Sequence, residues 1–224
     1  MVTTGAGNPS RYMAELKGHG IKVLPIAPTT ALAKRMESIG ADAIIGEGME
    51  AGGHIGDLTT MVLVPQLVDA VSIPVIAAGG IADGRGMAAA FALGAEGVQV
   101  GTRFMCAEEC TIHPDVKAQV IKAKDRDTVV TGRSTGHPVR VLRNKLSKQI
   151  EALDKENKTD EIEALGSGKL ALAMRTGDVQ MGSLMAGQIA AMVCEIQPAA
   201  EIVAEMMSEA ESVLTRLGTL PKSR

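Results

Sequence analysis

The sequence predicts an α/β protein of the (β/α)8 TIM-barrel type. Its short apolar runs are continuous and do not alternate with polar residues, as expected of parallel strands buried on both faces. Each run is followed by a helical segment, and glycines stand at the helix ends. Residues 39–44 and 93–98 repeat one pattern of helix stop, turn and strand start. Repeated strand–helix units with glycine-rich loops at the strand ends favour a barrel.

The elements of these units follow one another from residue 22. Strands are expected at residues 22–27, 41–45, 73–78 and 97–100. Helices are expected between and after them at residues 31–39, 58–70 and 87–93. Thr29 and Thr30 are suitable N-caps for the first helix, and Gly40 is suited to end it.

A doubly wound parallel sheet is the alternative architecture. Its dinucleotide-binding form has a G-x-G-x-x-G turn after the first strand and an acidic residue about 20 positions further on. The sequence has no such combination. We therefore prefer the barrel.

The composition of the chain changes after Phe104. Residues 108–186 are more polar and more charged, and they predict a helical insertion or lid with a joint at 166–168. A final apolar helix is expected to begin at Pro198. The predicted segments are a barrel part at 1–107, the insertion at 108–186 and returning helices at 187–224. A basic stretch in the insertion contains Arg140, Arg143, Lys145 and Lys148.

Composition and charge narrow the possible functions. A net charge of −3 and an aromatic content of 1% argue against a nucleic-acid partner. No apolar run is long enough for a membrane span, and the N-terminus has no signal-peptide pattern, so we expect a cytoplasmic protein. Three cysteines fit reduced thiols in that compartment. The spacing of Cys106, Cys110 and His113 does not predict a metal site.

The loop at residues 46–56 has the strongest functional pattern. It follows a predicted strand and contains five glycines, two carboxylates and one histidine, His54. Glycine allows the backbone to approach a ligand closely, so the loop predicts a planar or phosphorylated ligand. A flexible turn with a solvated His54 is the alternative. His54 is the candidate catalytic residue, because an imidazole can donate or accept a proton near neutral pH.

Two further strand ends predict a phosphate site. Gly79 and Gly80 follow the third strand, and residues 99–102 form the end of the fourth and the turn after it. In a barrel, backbone amides at the ends of such neighbouring strands converge on an anion. Either turn alone is a weak signal, but consecutive strands with the same ending strengthen the prediction.

Four stretches identify a family resemblance. Residues 47–56, 77–82, 99–104 and 183–188, with the opening residues 2–9, resemble bacterial flavin-dependent enoyl-acyl carrier protein reductases of type II, within the wider nitronate monooxygenase family. The resemblance implies reduction of trans-2-enoyl thioesters on acyl carrier protein by NADH through bound FMN, and His54 as the catalytic residue. The implied FMN-binding residues are Glu47, Gly52, Gly53, Gly79, Gly80, Gln99, Val100, Gly101, Thr102 and Gln188.

The resemblance also implies a homodimer and a monovalent cation. Members of the family carry roughly three further strands before the point where this sequence begins, so we expect an N-terminally truncated barrel. Acyl carrier proteins are acidic, and the basic stretch is therefore the predicted docking surface. The alternative function is a nitronate monooxygenase that oxidises alkyl nitronates with FMN and oxygen.

Overall fold

The fold is that of a computed structural model, and residues 1–5 and 9–219 are described. The chain forms two compact units. The first unit consists of Met1–Met49, Gly56–Gln99 and Ser208–Arg224, and the second of Glu50–Ile55 and Val100–Met207. Part of the glycine-rich loop thus belongs to the second unit. The opening motif at 2–9 lies partly outside the described residues.

The strands and helices of the described residues are as follows. The strands are β1 (Val2–Thr4), β2 (Val23–Pro25), β3 (Ile44–Glu47), β4 (Gly53–His54), β5 (Val75–Ala78), β6 (Gly97–Gln99), β7 (Thr128–Thr131) and β8 (Val139–Leu142). The helices are α1 (Ser10–Gly18), α2 (Thr30–Ser38), α3 (Thr60–Ala70), α4 (Gly84–Ala92), α5 (Thr102–Met105), α6 (Pro114–Lys122), α7 (Lys145–Lys155), α8 (Thr159–Gly166), α9 (Lys169–Thr176) and α10 (Ala199–Gly218). Two short 3-10 turns lie at Arg133–Thr135 and Gln188–Met192.

The strands of the first unit are parallel, and they lie side by side in the order in which they occur along the chain. β1 pairs with β2, and β5 lies between β3 and β6. A parallel bridge between Ile26 and Ile45 links these two groups. The order β1, β2, β3, β5, β6 contains no reversal, which favours the barrel type over a doubly wound sheet. No closed barrel is present within the described residues.

Local sequence signals explain the first unit. The Thr29 side chain caps α2 by accepting a hydrogen bond from the Leu32 amide at 3.3 Å. Gly40 and Gly94 both adopt positive φ angles, 96° and 94°. They follow the ends of α2 and α4, at the two repeated helix ends that the sequence predicts. Met36 on α2 and Leu63 on α3 belong to one buried apolar cluster, which covers the parallel strands.

An antiparallel sheet lies in the second unit, in the order β4, β8, β7. The prediction of a purely helical insertion at 108–186 is therefore wrong in one respect: β7 and β8 lie within it. α7 begins at a capping box in which Asn144 and Ser147 bond reciprocally. Its buried residues Leu146 and Ile150 form an apolar cluster with Ile162 of α8.

The helices at the end of the chain differ in part from the prediction. The expected apolar helix after residue 187 is only a 3-10 turn, Gln188–Met192. α10 begins directly after Pro198, as predicted, and buries Ile202, Met206 and Ala210. Leu217, near the end of α10, is 47% exposed. Within the described chain, no helix combines the length and the apolar character that a membrane span requires.

Candidate active site

Three strand ends of the first unit meet at one edge of the parallel sheet. The register pairs Glu47 with Ala78 and Ala78 with Gln99. Gly79 and Gly80 follow Ala78 directly. The structure thus brings Glu47, the two glycines and Gln99 to the carboxyl edge of the sheet, where ligands of parallel α/β folds bind.

The Gly79–Gly80 turn leaves backbone amides available for an anion. Both glycines adopt positive φ angles, 86° and 72°. Thr60 donates its hydroxyl to the carbonyl oxygens of Gly79 at 2.9 Å and Ala78 at 3.3 Å, which holds these carbonyls on the helix side. Among the described residues no acceptor bonds the Gly79 or Gly80 amide. Free amides at a strand end suit the phosphate of a nucleotide.

Glu47 is the titratable group of this edge. Its side chain is half-buried, and no residue in the described chain donates a hydrogen bond to it. Burial raises the pKa of the Glu47 carboxyl above its ordinary value. A half-buried carboxyl without a protein partner, beside free amides, fits a ligand with polar edges and a phosphate, as FMN has.

The remaining predicted loop residues lie in the second unit and pack backbone to backbone. A Cβ atom on Gly52 would lie 2.6 Å from the carbonyl carbon of Ala186, and one on Gly187 would lie 2.8 Å from the carbonyl oxygen of Glu50. The Gln188 amide donates to that same oxygen at 2.9 Å. Neither position has room for a side chain larger than that of glycine. The close backbone contact between Gly52 and Gly187 therefore fixes the loop before His54.

Thr102 ties a third segment to this contact. The buried Thr102 hydroxyl accepts a hydrogen bond from the Gly187 amide at 2.8 Å, which leaves its own hydrogen for another acceptor. Gly101 precedes it with open space where a side chain would be. Val100 is half-buried, and the side chain of Gln188 is exposed. The second unit thus brings Gly52, Thr102 and Gln188 together by hydrogen bonds and backbone packing.

His54 lines a cavity of about 430 Å³ within the second unit. It lies on β4, which is held by β8 through the pairs Gly53–Arg140 and His54–Val139. The imidazole is exposed, and no hydrogen bond to it occurs in the described chain. The residues that line the cavity are His54, Thr131, Gly132, Thr135, His137, Val139, Leu146, Ile150, Ile162, Glu163, Gly166, Ser167, Ser183 and Met185.

The sequence predicted Arg140 as part of a basic docking surface in a helical insertion. In the structure, Arg140 does not lie on an exposed helical surface. It occupies β8 opposite Gly53 and is only 4% exposed. Burial lowers the pKa of its guanidinium, and the charge of Glu50 partly offsets this effect. Its hydrophobic neighbours in sequence, Val139 and Val141, were the available signal for a strand.

The sequence missed a carboxylate that fixes one wall of the cavity. Asp154 on α7 accepts hydrogen bonds from the Gly132 amide at 2.6 Å and from the amide and hydroxyl of Ser134 at 3.1 and 2.7 Å. Burial raises the pKa of Asp154, but these donors outweigh it and hold the pKa below its ordinary value. The loop that precedes β8 is therefore anchored by a charged acceptor.

Replacing Asp154 by alanine should lower the free energy of unfolding at pH 7 by about 2 kcal/mol, because three donors lose a charged acceptor. The folded pKa is depressed, so this stabilisation is complete above the unfolded pKa of about 3.9 and is lost as the pH falls through the folded value. Urea unfolding of both proteins between pH 7 and pH 3 measures the difference.

Asp125→Ala is the matched control, since Asp125 is exposed and bonds to no other residue of the described chain. It should change the free energy of unfolding by less than about 0.5 kcal/mol. An Asp154→Ala effect of constant size across the whole pH range would contradict the proposed anchoring by an ionised carboxylate.

Comparison with known proteins is consistent across sequence and structure. A family model described as nitronate monooxygenase matches residues 1–209. FabK from Thermotoga maritima superimposes with a TM-score of 0.93 at 50% identity, over 96% of this chain and 69% of that chain. A probable nitronate monooxygenase of Staphylococcus saprophyticus is 35% identical over 223 residues, 94% of this chain and 62% of the relative.

A further relative is 45% identical over 139 residues. It is the (3aS,4S,5R,7aS)-5-hydroxy-7a-methyl-1-oxo-octahydro-1H-indene-4-carboxyl-CoA dehydrogenase of Rhodococcus jostii, and the match spans 62% of this chain and 39% of the relative. This chain therefore spans 39% to 62% of the length of these two curated relatives.

Proposed function

The chain belongs to the nitronate monooxygenase family, and we propose that it takes part in the FMN-dependent reduction of trans-2-enoyl-acyl carrier protein by NADH. Members of this family are flavin oxidoreductases that use FMN. FabK, an enoyl-acyl carrier protein reductase, is 50% identical to this chain. The proposal also includes a homodimer and a monovalent cation, which come from the same resemblance.

The cavity beside His54 is the observation that carries the proposal. Part of its wall is apolar and is built from Leu146, Ile150 and Ile162. A volume of about 430 Å³ accommodates a short acyl chain, and an apolar wall stabilises it by removing methylene groups from water. A small anionic nitronate needs no such wall. The carboxyl-CoA dehydrogenase relative is also named for a thioester substrate.

FMN would be held in part by the carboxyl edge of the first unit. The free amides of Gly79 and Gly80 suit its phosphate, and the half-buried carboxyl of Glu47 suits a polar edge of the ligand. Bound FMN would supply the hydride chemistry of the reaction. The roles of Gly52, Gly53, Val100, Gly101, Thr102 and Gln188 toward FMN are part of the same proposal.

His54 is proposed to donate a proton to the α-carbon of the substrate. Its imidazole is exposed to the cavity and makes no hydrogen bond in the described chain, so it is available to a substrate. An imidazole can hold or release a proton near neutral pH, which suits this role. The packed segment before it, held by Gly52 and Gly187, supports its position.

Nitronate oxidation is the second candidate function, because a relative 35% identical to this chain is named a probable nitronate monooxygenase. The two functions differ in substrate and oxidant.

The protein is supplied with FMN and NADH under anaerobic conditions, and oxidation of NADH is followed after addition of crotonyl-coenzyme A. In a second assay, oxygen consumption is followed with propionate-3-nitronate in the absence of NADH.

We expect crotonyl-dependent NADH oxidation and no nitronate-dependent oxygen uptake. The reverse result would replace the proposal by the second function. Activity in neither assay would overturn both for this chain.

A basic groove is the proposed docking surface for acyl carrier protein. The groove has a volume of about 650 Å³, and Lys122, Arg143, Lys145 and Lys148 contribute to its lining. Lys145 and Lys148 lie at the N-terminal end of α7, where the helix dipole is already positive and cations are unfavourable. Two cations at such a place concentrate positive potential and suit an acidic partner.

Replacing Lys145 and Lys148 by glutamate should raise KM for the carrier-protein substrate about tenfold, because the attraction that speeds association is reversed. KM for crotonyl-coenzyme A should change much less. Neither lysine forms an ion pair in the described chain, whereas Arg143 is paired with Glu151 at 3.2 Å, so the lysines give the cleaner test.

Lys155→Glu is the control, since it changes the same charge on the same helix outside the groove. Equal increases in KM for the carrier protein and for the coenzyme A thioester would exclude docking at this groove.

A further inference from the structure

The cavity that His54 lines has a second histidine, His137. The antiparallel register pairs His54 with Val139, and the Ile55 amide donates to the Pro138 carbonyl oxygen at 3.1 Å. His137 lies two residues before Val139. His54 and Val139 lie on the same face of the sheet, because they are directly opposite each other. His137 lies in the loop before β8, and all three residues line the same cavity.

The backbone of His137 is held on both sides. Before it, the turn at Arg133–Thr135 is flanked by Gly132 and Gly136, both at positive φ, and Asp154 anchors this turn. The His137 amide itself donates to the Thr135 hydroxyl at 3.1 Å. After it, Pro138 restricts His137 to an extended conformation. The residue therefore has a defined position.

The imidazole of His137, in contrast, has no partner. It is exposed, and no hydrogen bond to either ring nitrogen occurs in the described chain. A fixed backbone that carries a free polar side chain into a cavity is typical of a ligand contact. The same cavity is lined by the apolar side chains of Leu146, Ile150 and Ile162, which offer a substrate no hydrogen bond.

We propose that His137 is a second substrate-contacting residue, which donates a hydrogen bond to the thioester carbonyl oxygen of the acyl substrate. This inference rests on the proposed function. A thioester substrate needs a donor at its carbonyl oxygen, where negative charge develops, as well as a proton for its α-carbon. One imidazole N–H cannot serve both atoms at once, and two imidazoles that line one cavity can.

The chain contains four histidines, which allows a direct test by NMR. The imidazole C–H resonances are assigned by single replacement of each histidine by glutamine, and the protein is titrated with butyryl-coenzyme A, a saturated thioester that cannot be reduced. His54 and His137 should shift with the same apparent dissociation constant. His19, at the end of α1, and His113, the N-cap of α6, should not shift, because neither lines the cavity.

Shifts of His54 without His137 would overturn the inference and leave the proposed acyl site intact. If neither resonance shifted, both the inference and the acyl site would be wrong. Reduction of crotonyl-coenzyme A together with an unshifted His137 resonance would also overturn the inference about His137 while supporting the proposed function.

The replacements His137→Ala and His137→Gln test the kind of contact. Glutamine keeps an N–H donor but cannot transfer a proton. We expect kcat/KM for crotonyl-coenzyme A to fall at least tenfold in His137→Ala and to be largely restored in His137→Gln. Equal losses in the two variants would overturn the role of hydrogen-bond donor, and wild-type values in both would overturn the contact itself.

Discussion

His54→Ala should lower the turnover of enoyl thioester by about 100-fold or more, which is the lower end of the contribution of a positioned general acid. The reason is the place of His54 on the cavity wall, with an imidazole that bonds to no other residue of the described chain. The measurement is the rate of NADH oxidation with saturating crotonyl-coenzyme A, for a preparation with known FMN content.

FMN content should remain almost unchanged, because the proposed phosphate contacts lie at Gly79 and Gly80 of the first unit. His113→Ala is the matched control, since His113 caps α6 and does not line the cavity. Near wild-type turnover in His54→Ala would contradict the assignment. A large loss of FMN would show that the residue acts through the cofactor.

The first unit could be predicted from the sequence because its signals are local. Thr29 caps α2, and Gly40 and Gly94 end helices at positive φ, each within a few residues of the element it defines. Apolar runs then fixed the strands to within a few residues. The parallel pairing followed from their continuous burial, and the structure confirms it.

The sheet of the second unit could not be predicted in the same way. β8 pairs with β4, which lies more than 80 residues earlier in the chain, and no periodic pattern indicates such a partner. β4 itself has only the residues Gly53 and His54. The β-branched run at 128–131 and the β-branched residues Val139 and Val141 were the available signal, but the surrounding charge favoured a helix.

The residues of the site likewise divide into those with a local sequence signal and those that depend on contacts between distant parts of the chain. Glu47 and Gln99 could be placed because each ends a strand of one parallel sheet, and Gly79 because it directly follows the strand between them. Asp154 could not, because it binds a turn 20 and 22 residues away through hydrogen bonds that depend on the fold. His137 had a local signal in the Gly-His-Pro sequence, yet only the fold shows that it lines the same cavity as His54.

Gly52→Ala should destabilise the protein by about 1–3 kcal/mol, the usual cost of forcing an extra methyl group into a packed site. The added Cβ would lie 2.6 Å from the carbonyl carbon and 2.7 Å from the Cα of Ala186, and 2.7 Å from the Gly187 nitrogen. All three are backbone atoms, which cannot rotate away. The strain must therefore displace the segment 50–55 or the segment 185–188.

Displacement of the segment 50–55 also moves His54, so turnover should fall further than stability alone explains. A shift of about 1 Å in a catalytic group can lower the rate about 100-fold. Urea unfolding gives the stability, and the crotonyl-coenzyme A assay well below the unfolding transition gives turnover of the folded variant. Gly218→Ala is the matched control: no atom lies within 4 Å of its added Cβ, and its φ is not positive. It should change stability by less than about 1 kcal/mol and leave turnover unchanged.

Wild-type stability and turnover in Gly52→Ala would mean that the two segments do not need their close backbone contact to position His54.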